Sequence, residues 1–231
     1  MNDTTSRERA RRIAAIDGLL FDLDGTLIDT VDLIVTSARH ATQAVLGEAL
    51  PDDVLRHNIG VPLRTQMGEY APGHVDELLV AYREYNERVH DDLICEYPGT
   101  EEALAVLQDD GYRMGVVTSK SRSVAQRGVK YFELERFFEF IVAYEDTTIH
   151  KPQGEPVVEG VRRLGLSAEQ CMYVGDSPHD MVAGRAAGVL TVAATWGPFP
   201  ERVLEPKPDY AIGKLGDLRQ LLGGDEARFR V

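Results

Sequence analysis

Apolar residues return along this chain in two rhythms. Leu19-Leu20-Phe21 is a short continuous apolar run suited to a buried strand, and it ends in Asp22-Leu23-Asp24-Gly25-Thr26. From Val31 the period lengthens. Val31, Ile34, Val35, Ala38, Ala41 and Val45 recur at helical spacing until Gly47 closes the segment. Val75, Leu78, Leu79, Tyr82, Tyr85 and Val89 repeat the pattern, and Pro51, Gly60, Pro62, Pro72 and Gly73 punctuate shorter helices between. Residues 32–96 therefore read as a helical insertion.

After Pro98-Gly99 the two rhythms alternate. Helices are expected over Glu101–Gln108, from Ser123, over Pro156–Leu164 and over Pro178–Ala187. Strands are expected over Arg113–Thr118, Phe140–Ala143, Met172–Gly175 and Val189–Ala194, with a last short one at Asp209–Ile212. Strands alternating with helices predict an α/β fold: a doubly wound, Rossmann-like parallel sheet covered on both faces, with ligands at the strands' carboxyl ends. Residues 1–31 and 97–231 are expected to form that core, with 1–14 as a basic N-terminal arm, and 32–96 an inserted α-helical cap. Pro98-Gly99 and the region of Thr30 would be its hinges.

Charge narrows the partners. A formal net charge of −13 disfavours nucleic acid and anionic membrane, which both attract clustered Lys and Arg. An anionic ligand then needs local positive charge from a metal, a lysine or helix N-termini. Cys95 and Cys171 lack metal-ligand spacing, so a reducing, cytoplasmic setting is expected. Arg11-Arg12 resembles an export signal only weakly, because Asp17 interrupts the apolar stretch that follows. No segment approaches the roughly 20 apolar residues of a membrane span.

Each polar cluster falls just after an expected strand. Asp22 and Asp24 follow the first, Thr118-Ser119-Lys120 the second, His150-Lys151-Pro152 the third and Gly175-Asp176-Ser177-Pro178-His179-Asp180 the fourth. In a doubly wound sheet these loops converge on one crevice. Two acids one residue apart repel each other unless a cation or a shared proton intervenes. Asp22 can attack phosphorus as a carboxylate, and Asp24 can protonate the leaving oxygen and later take a proton from water. Magnesium prefers oxygen ligands, which Asp22, Asp176 and the Asp24 carbonyl would supply. Asp180, four residues beyond Asp176, can face the same way. Thr118 offers a hydroxyl, and Lys151 a compact positive charge, to the transferring phosphoryl oxygens. Taken singly each has a bland reading: a turn, a helix start, a satisfied hydroxyl, a loop lysine. Their order along the sheet is what makes them informative.

The chain resembles the haloacid dehalogenase superfamily, in its phosphatase branch with a helical cap after the first strand. The resemblance rests on Asp22-Leu23-Asp24-Gly25-Thr26, Thr118-Ser119, Lys151-Pro152, and Gly175-Asp176 with Asp180. It implies Asp22 as nucleophile, Asp24 as acid/base, Thr118, Ser119 and Lys151 as phosphoryl binders, and Asp22, Asp24, Asp176 and Asp180 around Mg2+. The family's dehalogenases and phosphonate hydrolases lack an acid at the position of Asp24. Its presence implies a phosphate ester or anhydride of a small metabolite. The order of motifs most resembles phosphoglycolate phosphatases and related pyrophosphatases, so 2-phosphoglycolate is expected first and pyrophosphate second. Arg64, after the turn Ile59-Gly60-Val61-Pro62-Leu63, is the candidate cap residue for a carboxylate or second phosphate. Trp196-Gly197-Pro198-Phe199-Pro200 is expected to be a rim loop anchored by aromatic packing. A phosphomutase of the same superfamily would share all four motifs. A phosphoacceptor signalling module shares the sheet and the residue types, but the inserted helices and the second acidic motif disfavour it. Oligomeric state is not legible.

Overall fold

The computed structural model of the chain describes residues 10–57, 59–224 and 226–231. Of the expected basic arm, residues 10–14 are helical and the rest lies outside the described residues. The core strands are β1 (Gly18–Phe21), β4 (Arg113–Val117), β5 (Ile141–Val142), β6 (Cys171–Gly175), β7 (Leu190–Ala194) and β8 (Tyr210–Ile212). They form one parallel sheet in the order β5-β4-β1-β6-β7-β8. The chain runs outward from β1 in one direction and then in the other. The crevice between those two directions lies at the carboxyl ends of β1, β4 and β6.

Side-chain alternation along the strands fills both faces of the sheet. Leu19, Phe21, Met114, Val116, Met172 and Val174 pack into one apolar cluster. Leu20, Val117, Cys171 and Tyr173 pack into the other, against Val157, Val161 and Leu164. Those last three lie on α7 (Glu155–Leu164), one of the covering helices with α5 (Thr100–Asp109), α6 (Arg122–Tyr131), α8 (Pro178–Ala187) and the short α9 (Asp217–Leu222). Cys95 is exposed, Cys171 is buried, and both are free.

Between β1 and β4 the chain leaves the sheet and folds into α1 (Val31–Leu46), α2 (Asp52–His57), α3 (Leu63–Tyr70) and α4 (Val75–Val89). These helices enclose their own apolar cluster of Ile34, Val35, Leu55, Ile59, Met67, Leu78, Leu79 and Tyr82. A short ribbon without a counterpart in the expected elements ties this insertion to the core: β2 (Ile28–Asp29) pairs antiparallel with β3 (Cys95–Glu96). Two residues per strand are too few for any periodicity to show. The ribbon brings the outgoing and returning chain side by side. Among the described residues no helix is long and apolar enough to cross a membrane.

Candidate active site

Asp22 follows β1 directly, and its N–H continues the sheet by donating to the Val174 carbonyl at 2.9 Å. The chain then turns tightly, with the N–H groups of Leu27 and Ile28 both returning to the Leu23 carbonyl at 3.0 Å. Gly25 sits at φ +85°, and a Cβ there would stand 2.4 Å from Asp176 Oδ2. Only glycine fits, because both the backbone angle and the space exclude a side chain. The turn presses against the end of β6, bringing residues 22 and 176 together.

Asp22, Asp176 and Asp180 are all buried, with carboxylate oxygens within 4.8 Å of one another. Lys151, on the loop after β5, enters this cluster with a side chain only 1% exposed. Its ammonium donates to Asp22 Oδ1 at 2.9 Å, to Asp180 Oδ1 at 2.7 Å and to the Tyr173 hydroxyl at 3.2 Å. The Tyr173 hydroxyl also lies 2.9 Å from Asp180 Oδ1 and 3.1 Å from the Val117 carbonyl. Ser177 donates from its N–H (3.0 Å) and Oγ (2.6 Å) to Asp180 Oδ2, the capping box that opens α8. Both oxygens of Asp180 are therefore occupied by protein donors. Thr26 Oγ1 donates to Asp176 Oδ1 at 2.8 Å. Among the described residues the second oxygens of Asp22 and Asp176 accept no hydrogen bond.

The electrostatics follow from that inventory. Burial first, then the charge of Asp180, push Asp22 up to about 7 against the opposing pull of Lys151. Asp176 is raised by burial and by the charges of Asp180 and Asp22. Burial opposes ionisation of Asp180 too, but Lys151, Ser177 and Tyr173 hold it below the ordinary carboxylate range. Lys151 stays charged: burial works against its ammonium, and Asp180 and Asp22 outweigh burial. Ionised together, three carboxylates around one lysine would carry excess negative charge; burial and that repulsion are why Asp22 and Asp176 are raised. Two carboxylate oxygens free of protein donors suit a hard, oxygen-seeking cation.

Asp24 lies in different surroundings. Thr30 Oγ1 donates to its Oδ1 at 2.6 Å, and the Lys120 ammonium pairs with the same oxygen. Thr118 is buried where β4 ends, and its Oγ1 accepts from the Lys120 N–H at 3.1 Å. Among the described residues Ser119 Oγ is buried without a partner. From Asp24 a cavity of about 610 Å³ extends between core and insertion, lined by Ser119, Lys120, Arg127 and His90, and by Gln66, Tyr82 and Arg83 from the helices above. Arg64 lines it too, with its guanidinium 2.8 Å from Asp76.

The structure thus gathers Asp22, Asp176, Asp180 and Lys151 in one cluster, with Asp24, Ser119 and Arg64 lining the adjoining cavity and Thr118 buried next to Ser119 where β4 ends. Three contributors went unassigned in the sequence. Lys120 stood in the right loop, but nothing there pairs it with Asp24. Thr30 read only as a hinge. Tyr173 alternates with Cys171 and reads as plain core, so its hydroxyl contacts had no sequence signal.

Residues 19–194 match the haloacid dehalogenase-like hydrolases, and the chain belongs to that family. Pyrophosphatase PpaX of Listeria welshimeri is 37% identical over 217 residues, 91% of this chain and 98% of its own. A haloacid dehalogenase-like family hydrolase of Streptococcus pneumoniae has the same fold, with TM-score 0.79 and 27% identity over 89% of this chain and 98% of that one. A structure from Haemophilus somnus named as a predicted phosphoglycolate phosphatase has TM-score 0.80 over 90% of this chain and 98% of its own. At 24% identity that likeness is one of fold. Family and relatives together make this chain a phosphatase-type hydrolase.

Proposed function

We propose that the protein is a magnesium-dependent phosphatase working through an aspartyl-phosphate on Asp22, with pyrophosphate as first substrate and 2-phosphoglycolate as second. The observation carrying this reading is the contrast between the two acids after β1. Asp22 is buried against Lys151, whereas Asp24 faces the cavity beside Thr30 and Lys120. Two carboxylates in unlike surroundings can divide nucleophilic and proton-transfer duties.

In this reading Asp22 attacks phosphorus through a carboxylate oxygen. The bond from phosphorus to the leaving oxygen breaks, and Asp24 gives that oxygen its proton. Asp24 then takes a proton from water as the water attacks phosphorus, the bond to Asp22 breaks, and phosphate leaves. Lys151 and the Thr118 hydroxyl hold the phosphoryl oxygens. Asp22 and Asp176 would hold the magnesium ion, with the Asp24 carbonyl as a third donor and Asp180 anchoring Lys151. The ion supplies charge neutralisation that lets a phosphate dianion approach a carboxylate. The helical insertion acts as a cap over the cavity, with Arg64 and Lys120 meeting the leaving group.

Pyrophosphate comes before 2-phosphoglycolate because the Listeria welshimeri relative, matched over nearly its whole length, bears the pyrophosphatase name. Phosphate release with magnesium from pyrophosphate, 2-phosphoglycolate, a hexose phosphate and an aryl phosphate tests the reading. Many turnovers from pyrophosphate, abolished by Asp22→Asn, are expected. Isomerised hexose phosphate without free phosphate would replace it with a mutase, and one retained phosphoryl group per chain with a phosphoacceptor.

A further inference from the structure

The loop after β7 touches both halves of the molecule. Trp196 packs against the core, its Nε1–H donating to the Thr26 carbonyl at 3.0 Å and its ring meeting Tyr97 edge-on at 6.4 Å. Gly197 follows, and a Cβ there would lie 2.4 Å from Asp176 Cβ and 2.8 Å from the Gly25 carbonyl oxygen. The loop backbone is therefore laid directly on the acid-bearing turn. Two residues later the chain has changed sides. Phe199 packs into the apolar cluster of the helical insertion, and among the described residues it is the one member of that cluster from beyond residue 96. Arg202 lies over its ring at 4.9 Å and donates to the His57 carbonyl of the insertion at 3.4 Å. Val203 then returns to the core beside Met181 and Ala193.

A chain only two residues long between a close backbone contact and a partly buried apolar anchor transmits displacement, because packed apolar clusters shift between discrete seatings rather than stretching. We infer that Phe199 is a positioning residue that couples seating of the helical insertion over the cavity to ligand occupancy at Asp176. Phe199 touches none of the reacting groups. It acts by holding the insertion to a loop whose next contact is Asp176, so each event favours the other by the same factor. The inference rests on the proposed cation and phosphoryl role of the Asp22–Asp176 site.

The test follows amide hydrogen exchange in residues 59–70 of the folded protein, with and without saturating magnesium and inorganic phosphate. Calorimetry reports magnesium binding separately, and Trp196, the single tryptophan of the chain, reports the loop by its emission. In the wild type, ligands should slow exchange across 59–70. In Phe199→Ala the protection should fall about tenfold, and kcat/KM by a similar factor, a size expected when seating is lost remote from the chemistry. Phe199→Leu, which keeps an apolar anchor, should recover most of both, which separates coupling from any loss of fold. Arg88→Ala, on α4 with its guanidinium stacked on Tyr85, should leave both unchanged. Protection in Phe199→Ala equal to wild type, or magnesium binding to the wild type without protection at 59–70, would overturn the coupling and leave the proposed chemistry standing. No magnesium binding to the wild type would instead remove the proposed chemistry, and the coupling with it.

Discussion

Lys151→Met keeps most of the side chain's length while removing its charge and its donors. The ammonium it deletes lies 2.9 Å from Asp22, 2.7 Å from Asp180 and 3.2 Å from the Tyr173 hydroxyl, in a side chain 1% exposed. Three buried carboxylates would then face one another with no protein cation in contact. Removing one partner of a buried ion pair costs about 3–5 kcal/mol. For a chain of this size that is about 6–20 °C in Tm. The deficit should carry a signature of charge. Asp22 and Asp176 are already raised by burial and by neighbouring carboxylates, so the deficit should shrink as pH falls and they protonate. Magnesium should shrink it as well, by binding the native state. Urea unfolding in chelator at about pH 8 and about pH 5, then with magnesium at the higher pH, measures all three effects. A variant as stable as wild type in chelator at about pH 8 would show that Lys151 does not neutralise this cluster, as would a deficit indifferent to both pH and magnesium.

Asp22→Asn should abolish turnover and also isolate one titration. Burial, with the charge of Asp180, raises the native Asp22 to about 7. The native state then holds this proton more tightly than the unfolded chain, so the contribution of Asp22 to stability is greatest below about pH 4 and declines toward about pH 7. In metal-free urea titrations, wild-type stability relative to Asp22→Asn should fall across that window by up to about 4 kcal/mol, and a flat difference would contradict it. Gly25→Ala places a Cβ at φ +85° and 2.4 Å from Asp176 Oδ2. It should cost about 1–3 kcal/mol in strain and about a hundredfold in kcat, and ordinary kinetics would show the turn is not so constrained. Lys120→Met removes the cation paired with Asp24, and kcat/KM should drop about 10–100-fold. An unchanged value would mean that this pair does not position the second acid.

What the sequence disclosed, and what it hid, divides along physical lines. β1, β4, β6 and β7 were visible because each is an apolar run bounded by turn residues, and α4 and α8 because their spacing and punctuation agree. The convergence of Asp22, Lys151 and Asp176 followed from the sheet rule that gathers loops at the strands' carboxyl ends. The β2–β3 ribbon stayed hidden because its pairing is made by backbone groups that no side-chain pattern encodes. α9 is too short, at six residues, for its periodicity to stand out. The Tyr173 hydroxyl and the Lys120–Asp24 pair depend on contacts across 7 and 96 positions. The aromatic packing expected of the rim loop is present at Trp196, but the placement of Phe199 among the inserted helices is a tertiary fact without local signal.

A covalent phosphoryl group on Asp22 is a species that acid-quenched turnover can trap. The protein would be mixed with magnesium and radiolabelled pyrophosphate, quenched in acid and digested, with the label mapped by peptide. Label on the peptide carrying Asp22, released by hydroxylamine and accumulating further in Asp24→Asn, is the expected result. Label on any other residue, or undiminished turnover by Asp22→Asn, would contradict it.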